Sequence, residues 1–262
     1  MEVWKEGSMQ RRVSVFNMKG GTGKSTLSVN LAHALALQGQ RTLLIDCDLQ
    51  GNASSILPEQ SKPTLTDVLT GQATLEQAIK GARAGLDVVP ADRQLNSAAN
   101  YIVSKGRKAY TVLRRAVQEL TQYDIILFDH SPSYSTITEA ALLASEELLV
   151  PCELAPYPIE GLLTLFDKLG EELDDHQLAL TGIVPFNVDL RYAMSHQYID
   201  ELRKTFGEKV TSAIRTDAAI PRAQAHHKTI FEYDAQSKAA QDIRNLAATL
   251  FLIRSTTSGE AR

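Results

Sequence analysis

A glycine-rich segment between a predicted strand and a predicted helix constrains the fold of this chain more than any other stretch. Residues 19–26 read KGGTGKST. Before them, the alternating, β-favouring residues 13–16 predict a buried strand, and after them apolar residues at helical spacing across 27–37 predict a helix. Glycines let several backbone N–H groups point toward one site, and the helix start adds the positive end of its dipole. The segment therefore predicts a phosphate-binding loop.

Each polar residue of this loop has a predicted part in binding a nucleotide. Lys24 is expected to reach the β- and γ-phosphates, and the Ser25 hydroxyl is expected to ligate Mg²⁺. The loop departs from the pattern G-x-x-x-x-G-K-[ST], because Asn17 or Met18 stands where that pattern has its first glycine. A plain glycine turn with a solvated lysine is the alternative. The predicted nucleotide-binding residues here are Gly20, Gly21, Thr22, Gly23, Lys24, Ser25 and Thr26.

The lysine at the head of the loop makes the departure informative. With Lys19, the segment follows K-G-G-[TV]-G-K-[ST]-T and resembles the deviant Walker A motif of the ParA/MinD ATPases. In that family the leading lysine crosses a dimer interface and contacts the partner's nucleotide, so the resemblance implies this catalytic role for Lys19 beside Lys24. The resemblance also implies a P-loop NTPase fold, ATP and Mg²⁺ as cofactors, and a homodimer that forms on ATP.

A second predicted strand ends in two acids. Residues 41–48 are nearly continuously apolar up to Asp46 and Asp48, which is typical of a parallel strand covered on both faces. Acids at the carboxyl end of such a strand lie where α/β sheets bind ligands. Residues 44–53 resemble the family motif D-x-D-P-Q-G-N-A, with Leu49 in place of proline. The resemblance implies that Asp48 orients the attacking water and that Asp46 supports the metal site; a carboxylate that caps a loop is the alternative for Asp46.

A third buried strand is predicted at residues 123–129 and ends in Asp129. The Mg²⁺ of a P-loop needs a carboxylate on a neighbouring strand, and Asp129 has the position for it. By resemblance this is the Walker B motif, and Asp129 is the third predicted metal residue with Ser25 and Asp46. His130 follows where the family commonly has Thr or Cys, and it either tunes hydrolysis through a hydrogen bond or fills space.

Two further nucleotide contacts are implied by family likeness alone. Asn187 ends the strand-like run 179–187, at a place where related proteins have an Asn that faces the base. Asp217 lies in the run 210–233, which resembles the closing region of the family. Asn187 and Asp217 are therefore predicted to bind the nucleotide.

Binding to DNA is implied by the family rather than by composition. The net charge of −4 argues against a generally basic nucleic-acid binder but leaves room for a local basic patch. Partitioning members of the family contact DNA through basic residues of the closing region, and scattered surface residues are the alternative. The candidates here are Arg203, Lys204, Arg215, Arg222 and Lys228.

Length and element order predict the domain organisation. The 262 residues suit one α/β domain, and the alternation of strands and helices predicts a mostly parallel twisted sheet with helices on both faces. We assign residues 11–254 to a ParA-like ATPase domain, residues 1–10 to a native extension or a cloning remnant, and residues 255–262 to a disordered tail. Cys47 and Cys152 lack the spacing of a metal site, and they do not resemble the cysteine pair of an iron–sulfur reductase.

The sequence thus predicts a cytoplasmic, nucleoid-associated ATPase. It would form an ATP-sandwich dimer, bind non-specific DNA and hydrolyse ATP to segregate or position DNA or a protein cargo, with a ParB-like or cargo adaptor protein stimulating hydrolysis. A MinD-like membrane-cycling ATPase is one alternative, but we find no membrane-targeting helix of the kind expected at its end. A nucleotide-gated scaffold with little turnover is the other.

Overall fold

An eight-stranded sheet forms the centre of the computed structural model, which describes residues 10–56, 62–154, 158–173 and 176–251. The strands are β1 (Arg11–Val15), β2 (Thr42–Cys47), β3 (Lys80–Arg83), β4 (Leu86–Val89), β5 (Ile125–His130), β6 (Glu147–Cys152), β7 (Ala179–Val188) and β8 (Ile214–Arg215). Their order in the sheet is β3-β4-β2-β5-β1-β6-β7-β8. All neighbours pair in parallel except β3 and β4, which are antiparallel. The predicted tail at 255–262 and nearly all of the predicted extension at 1–10 lie outside the described residues.

Helices cover both faces of this sheet. They are α1 (Lys24–Leu37), α2 (Leu65–Leu69), α3 (Leu75–Ala78), α4 (Leu95–Lys105), α5 (Arg107–Tyr110), α6 (Val112–Glu119), α7 (Thr136–Ala144), α8 (Pro158–Glu172), α9 (Ala193–Phe206), α10 (Ala219–Ala225), α11 (Ile230–Tyr233) and α12 (Lys238–Phe251). Short 3-10 turns occupy Ala53–Ile56 and Gly207–Lys209. The predicted α/β fold is confirmed.

The core consists of three apolar clusters, and two of them flank the central strands. On one side, Leu31 and Leu35 of α1 pack with Ile243 of α12 against the valines of β1. On the other side, helices α4 to α7 pack against Ile126 and Phe128 of β5. Every residue of β2 and β5 is buried, as their continuous apolar sequences predict for strands covered on both faces.

The parallel register brings the predicted acids to one edge of the sheet. Asp46 of β2 lies directly opposite Asp129 of β5, and Val15 at the end of β1 is the partner of Asp129 on the other side. The carboxyl ends of these strands and the loop after β1 therefore converge, at the edge where α/β proteins bind ligands.

Strand β3 and helix α7 are among the elements that were not predicted from the sequence. Strand β3 has the sequence KGAR, which is poor in β-favouring residues, and it is formed because β4 offers an edge to which it pairs antiparallel. Helix α7 begins at Thr136 after Ser135, whose hydroxyl accepts a hydrogen bond from the Thr138 N–H. None of the helices in the described ranges is long and apolar enough to cross a bilayer.

Helix α12 is joined to the edge of the sheet by a charged contact. The carboxylate of Asp242 accepts hydrogen bonds from the backbone N–H of Arg215 at 2.9 Å and from its Nε and Nη2 at 2.8 Å each. Asp242 therefore satisfies a backbone group of the short strand β8 and its guanidinium together, in the bidentate geometry that strengthens such pairs.

We expect Asp242→Ala to lower the free energy of unfolding by about 1–3 kcal/mol, because it leaves the part-buried Arg215 groups without their acceptor. Urea unfolding of the purified protein measures this loss. The matched control is Glu172→Ala, which breaks a pair with Lys168 in which the two side chains are 42% and 37% exposed. A pair of this exposed kind contributes about 0–1 kcal/mol, so equal losses for the two variants would contradict the prediction.

Candidate functional site

The loop between β1 and α1 has the backbone that its glycines predict. Gly21 and Gly23 have φ values of 78° and 87°, a region that side chains disfavour. A Cβ atom on Gly23 would lie 2.3 Å from Cδ1 of Phe186, at the end of β7. At the base of the loop, Asn17 accepts the N–H of Lys19 at 3.0 Å and donates to the Pro151 carbonyl at 2.9 Å. The loop is therefore fixed to β6 and packed under β7.

The predicted phosphate-binding lysine points inward. Lys24 is only 6% exposed, and its Nζ donates to the Lys19 carbonyl at 2.9 Å. Burial lowers the pKa of Lys24, while the carboxylates of Asp129 and Asp48 oppose that shift. The Lys24 ammonium has a neutral carbonyl as its acceptor among the described residues. An anion bound beside it would offset the cost of its desolvation, because opposite charges attract strongly in a low-dielectric site.

Lys19, the leading lysine, points to the surface. Its side chain is 55% exposed, and its Nζ lies 3.1 Å from Oε2 of Glu153, which is similarly accessible. An exposed pair of this kind holds its lysine weakly. The side chain of Lys19 is thus available to a second molecule at little cost.

Asp129 has the environment that a metal ligand requires. One oxygen, Oδ1, accepts the Ser28 hydroxyl at 2.8 Å, whereas Oδ2 is buried and has no hydrogen-bond partner among the described residues. Burial raises the pKa of Asp129, nearby Asp46 raises it further, and the Ser25 and Ser28 hydroxyls oppose the rise. Within the described ranges no cluster of three His, Cys, Asp or Glu residues could hold an ion. One buried carboxylate beside a hydroxyl fits Mg²⁺, which is commonly held by one or two carboxylates together with phosphate oxygens.

Asp46 holds the following loop rather than leaving its oxygens open. Its Oδ1 accepts the Asp48 N–H at 3.0 Å, and its Oδ2 accepts the N–H and the hydroxyl of Ser54 at 2.7 and 2.6 Å. Burial raises the pKa of Asp46, although these hydrogen bonds oppose the rise. This geometry favours the loop-capping alternative, in which Asp46 serves the site by shaping the segment from Asp48 to Ser54.

Asp48 is placed by that segment at the wall of a cleft of about 640 Å³. The carboxylate is buried, and its Oδ1 accepts the N–H of Gln50 at 3.0 Å. The structure brings together the phosphate-binding loop and Asp48, as predicted. It adds residues that were not predicted as part of the site, and these are Val29, Asn30, Gln50, Asn52, Ser55, Ile56, Pro132, Gln224 and His227. Gln50 and Asn52 lie in the motif that identified Asp48, so a signal for them was present.

His130 lines the cleft and is fully buried. Its Nε2 lies 2.9 Å from the Ser14 hydroxyl, and its ring packs against Phe16 with centroids 5.2 Å apart. Ser145 donates its hydroxyl proton to the Leu142 carbonyl, so Ser14 donates to Ser145 and the Nε2–H of His130 donates to Ser14. Burial, and then the charge of Lys24, lower the pKa of His130 to about 3. His130 is therefore a neutral core residue, hydrogen-bonded across two strands.

The two nucleotide-binding residues predicted from family likeness alone, Asn187 and Asp217, stay predictions. Asn187 is exposed with φ of 58°, and Asp217 accepts the N–H groups of Ala219 at 2.9 Å and Ala239 at 3.1 Å. Burial tends to raise the pKa of Asp217, but these backbone hydrogen bonds outweigh it and the pKa is lowered. Neither residue is among those that line the cleft in the described part of the chain, and Asp217 joins the starts of α10 and α12.

The predicted basic patch is divided by the structure. Arg203 and Lys204 are exposed side by side near the end of α9, and Arg222 is exposed on α10. Arg215 is held by Asp242, as described above. Lys228 lines the cleft, together with the phosphate-binding loop.

Comparisons with known proteins agree with this geometry. A family model described as AAA domain matches residues 10–180. The chromosome partitioning protein ParA of Caulobacter vibrioides is 34% identical over 248 residues, which cover 90% of this chain and 92% of that protein. The ATP complex of a variant of McdA from Cyanothece superposes with a TM-score of 0.80 at 21% identity, covering 93% of this chain and 97% of that one.

A third relative represents the MinD branch. The septum site-determining protein MinD of Pyrococcus horikoshii, complexed with Mg-ADP, superposes with a TM-score of 0.75 at 25% identity and covers 93% of this chain and 96% of that one. The loop, the acids at the sheet edge and the similarity to ParA along nearly the whole chain agree. This chain belongs to the ParA/MinD family of P-loop ATPases with a deviant Walker A motif.

Proposed function

We propose that this protein binds ATP with Mg²⁺ in the cleft beside the β1–α1 loop, dimerises on ATP, and hydrolyses it to segregate or position DNA or a protein cargo. The observation that carries the proposal is the buried Lys24, placed with Asp48 and with the unpaired oxygen of Asp129 at one edge of the sheet. The neighbours that carry ATP or Mg-ADP support the choice of nucleotide and metal.

Different residues of the cleft bind the phosphates, hold the metal ion and orient the attacking water. The loop N–H groups and Lys24 bind the phosphates and stabilise the charge that develops as the γ-phosphate leaves. Ser25 and Asp129 would hold Mg²⁺, which neutralises phosphate charge, and Asp46 fixes the segment that carries Asp48. Asp48 orients the attacking water, with its carboxylate held in place by the Gln50 N–H.

Dimer formation follows from the position of Lys19. The exposed ion pair of Lys19 with Glu153 contributes little free energy and is easily broken. A nucleotide phosphate on a partner subunit carries more negative charge than one carboxylate and is the stronger acceptor. ATP then acts as a ligand of the dimer, and hydrolysis returns the monomer because the nucleotide has different affinities for the two states.

The working surface we propose is non-specific DNA, and this places the protein in the cytoplasm on the nucleoid. The support is the 34% identity to a chromosome partitioning ParA, which extends over 248 residues. The exposed pair Arg203 and Lys204 is the proposed DNA contact, with Arg222 as a further cation. A ParB-like or cargo adaptor protein would stimulate hydrolysis.

We expect Asp48→Ala to reduce phosphate release from ATP by about 10²-fold or more, because it removes the group that orients the water. Its affinity for ADP should stay that of the wild type.

Lys24→Ala should instead weaken binding of both ATP and ADP by about tenfold or more. Phosphate release and titration calorimetry, each with Mg²⁺ and with chelator, measure the two effects. Wild-type protein that binds ATP with negligible turnover would identify the nucleotide-gated scaffold instead.

We expect Lys19→Ala to remain monomeric with ATP while still binding ADP like the wild type, since its side chain acts on the partner's nucleotide. Sedimentation in the Asp48→Ala background, which preserves ATP, measures the dimer. The matched control is Glu153→Gln, which releases Lys19 from its ion pair and should still dimerise. An ATP dimer of the Lys19→Ala variant at wild-type concentrations would refute the crossing role.

We expect the ATP dimer of Asp48→Ala to bind DNA regardless of its sequence. Adding Arg203→Ala/Lys204→Ala removes four cations from the dimer and should lower the log–log slope of affinity against salt by about 4. The control is Lys105→Ala/Lys108→Ala, which removes two exposed lysines from the α4–α5 region. If the dimer does not bind DNA at low salt, the proposed DNA role is excluded, whereas the proposed ATP hydrolysis is unaffected. Binding of that dimer to anionic vesicles would then favour the MinD-like alternative.

A further inference from the structure

The wall of the cleft that faces the phosphate-binding loop is formed by residues 223–230, which we call the strap. The strap is fastened to one side of α1 at three points. Gln224 donates to the Thr26 hydroxyl at 2.7 Å, the Ile230 N–H donates to Asn30 Oδ1 at 2.7 Å, and Thr229 Oγ1 lies 2.6 Å from His33 Nδ1. Positions 26, 30 and 33 share one helix face, so the strap lies along α1 from its first turn.

Lys228 lies between these fastenings, at the end of a tight turn. The N–H groups of His227 and Lys228 donate to the carbonyls of Gln224 and Ala223 at 3.0 Å each. His227 has φ of 54°, which is uncommon for a residue with a side chain, and the contacts on both sides hold it there. The position of Lys228 on the cleft wall is therefore fixed by the backbone.

Arg83 of β3 also fixes the distance between the strap and the opposite wall of the cleft. Its Nη1 donates to the Ile56 carbonyl at 2.9 Å, and its Nε donates to Oε1 of Glu232 at 2.6 Å. The second oxygen of Glu232 accepts the Thr229 N–H at 2.8 Å, directly after Lys228. Ile56 lines the cleft on one wall and Lys228 on the other, so one guanidinium joins the two walls.

Among the residues that line the cleft, lysines outnumber carboxylates. Lys24 and Lys228 are the lysines of its lining, and Asp48 is the carboxylate. The Lys228 side chain is exposed, and in the described part of the chain it makes no hydrogen bond or ion pair. Asp48, by contrast, is buried with an oxygen held by Gln50. An exposed lysine that lines the same cleft as the lysine of a phosphate-binding loop suits a ligand with several negative charges.

From this geometry we propose that Lys228 binds the phosphate chain of the nucleotide from the strap side, rather than DNA. The inference rests on the proposed function, since it takes the cleft to be the nucleotide site. The ligand class is a nucleoside di- or triphosphate, whose phosphates would lie between Lys24 and Lys228. The strap then serves as the second wall of the phosphate site, with its position set by α1 and Arg83.

The test is titration calorimetry of wild type, Lys228→Ala and Lys108→Ala with ADP and with ATP. Lys228→Ala should raise the dissociation constant for both nucleotides by about tenfold, as expected for loss of a charge-assisted hydrogen bond. Lys108→Ala removes one exposed positive charge on α5, outside the residues that line the cleft, and should bind both nucleotides like the wild type. Without nucleotide, Lys228→Ala should melt at the wild-type temperature, because its side chain has no protein partner to lose.

The remaining outcomes separate this inference from the proposed function. Wild-type affinity of Lys228→Ala for both nucleotides would overturn the inference alone, leaving the ATPase proposal in place. The same result with weaker DNA binding by the ATP dimer would return Lys228 to the DNA surface. Wild-type protein that binds neither ADP nor ATP would overturn both.

Discussion

The structure depends on the burial of three charged side chains at one edge of a parallel sheet. Lys24, Asp46 and Asp129 are almost fully buried, and removing such groups from water is costly unless partners compensate. Asp46 is compensated by three hydrogen bonds from the segment after β2. Lys24 and Asp129 are compensated only in part, since one has a single carbonyl acceptor and the other an orphaned oxygen. A ligand can supply the hydrogen-bond and charge partners that these two buried side chains lack among the described residues.

Because Lys24 and Asp129 lack full compensation, we expect ligand binding to raise the stability of the fold. Anything that binds the native cleft and not the unfolded chain adds to stability by mass action. Phosphates beside Lys24 and a cation beside Asp129 would each compensate a desolvated charge. Their contributions to stability would be coupled, because Lys24 and Asp129 interact electrostatically. The loop that receives them is already fixed by Asn17 and Phe186, and little backbone order remains to be gained on binding.

The sequence predicted the central strands and the charged groups, because each depends on local pattern. Residues 13–26 carry the strand, the glycines and the helix within one short stretch, and Asp129 ends a continuous apolar run. What the sequence did not show depends on distant partners. The oxygens of Asp46 are occupied by Ser54, and β3 forms only where β4 provides an edge. Lys228 looked like one member of a basic patch until the contacts of the strap with α1 placed it at the cleft.

The packing of Phe186 on Gly23 has a consequence for substitution at the loop. Two independent barriers exclude a side chain at position 23, the aromatic ring 2.3 Å from a would-be Cβ and the backbone φ of 87°. A smaller residue at position 186 would remove the first barrier and leave the second, because the second belongs to the loop itself. The two positions are therefore coupled in one direction only: a change at position 23 forces Phe186 to move, whereas a smaller residue at 186 does not release position 23 from glycine.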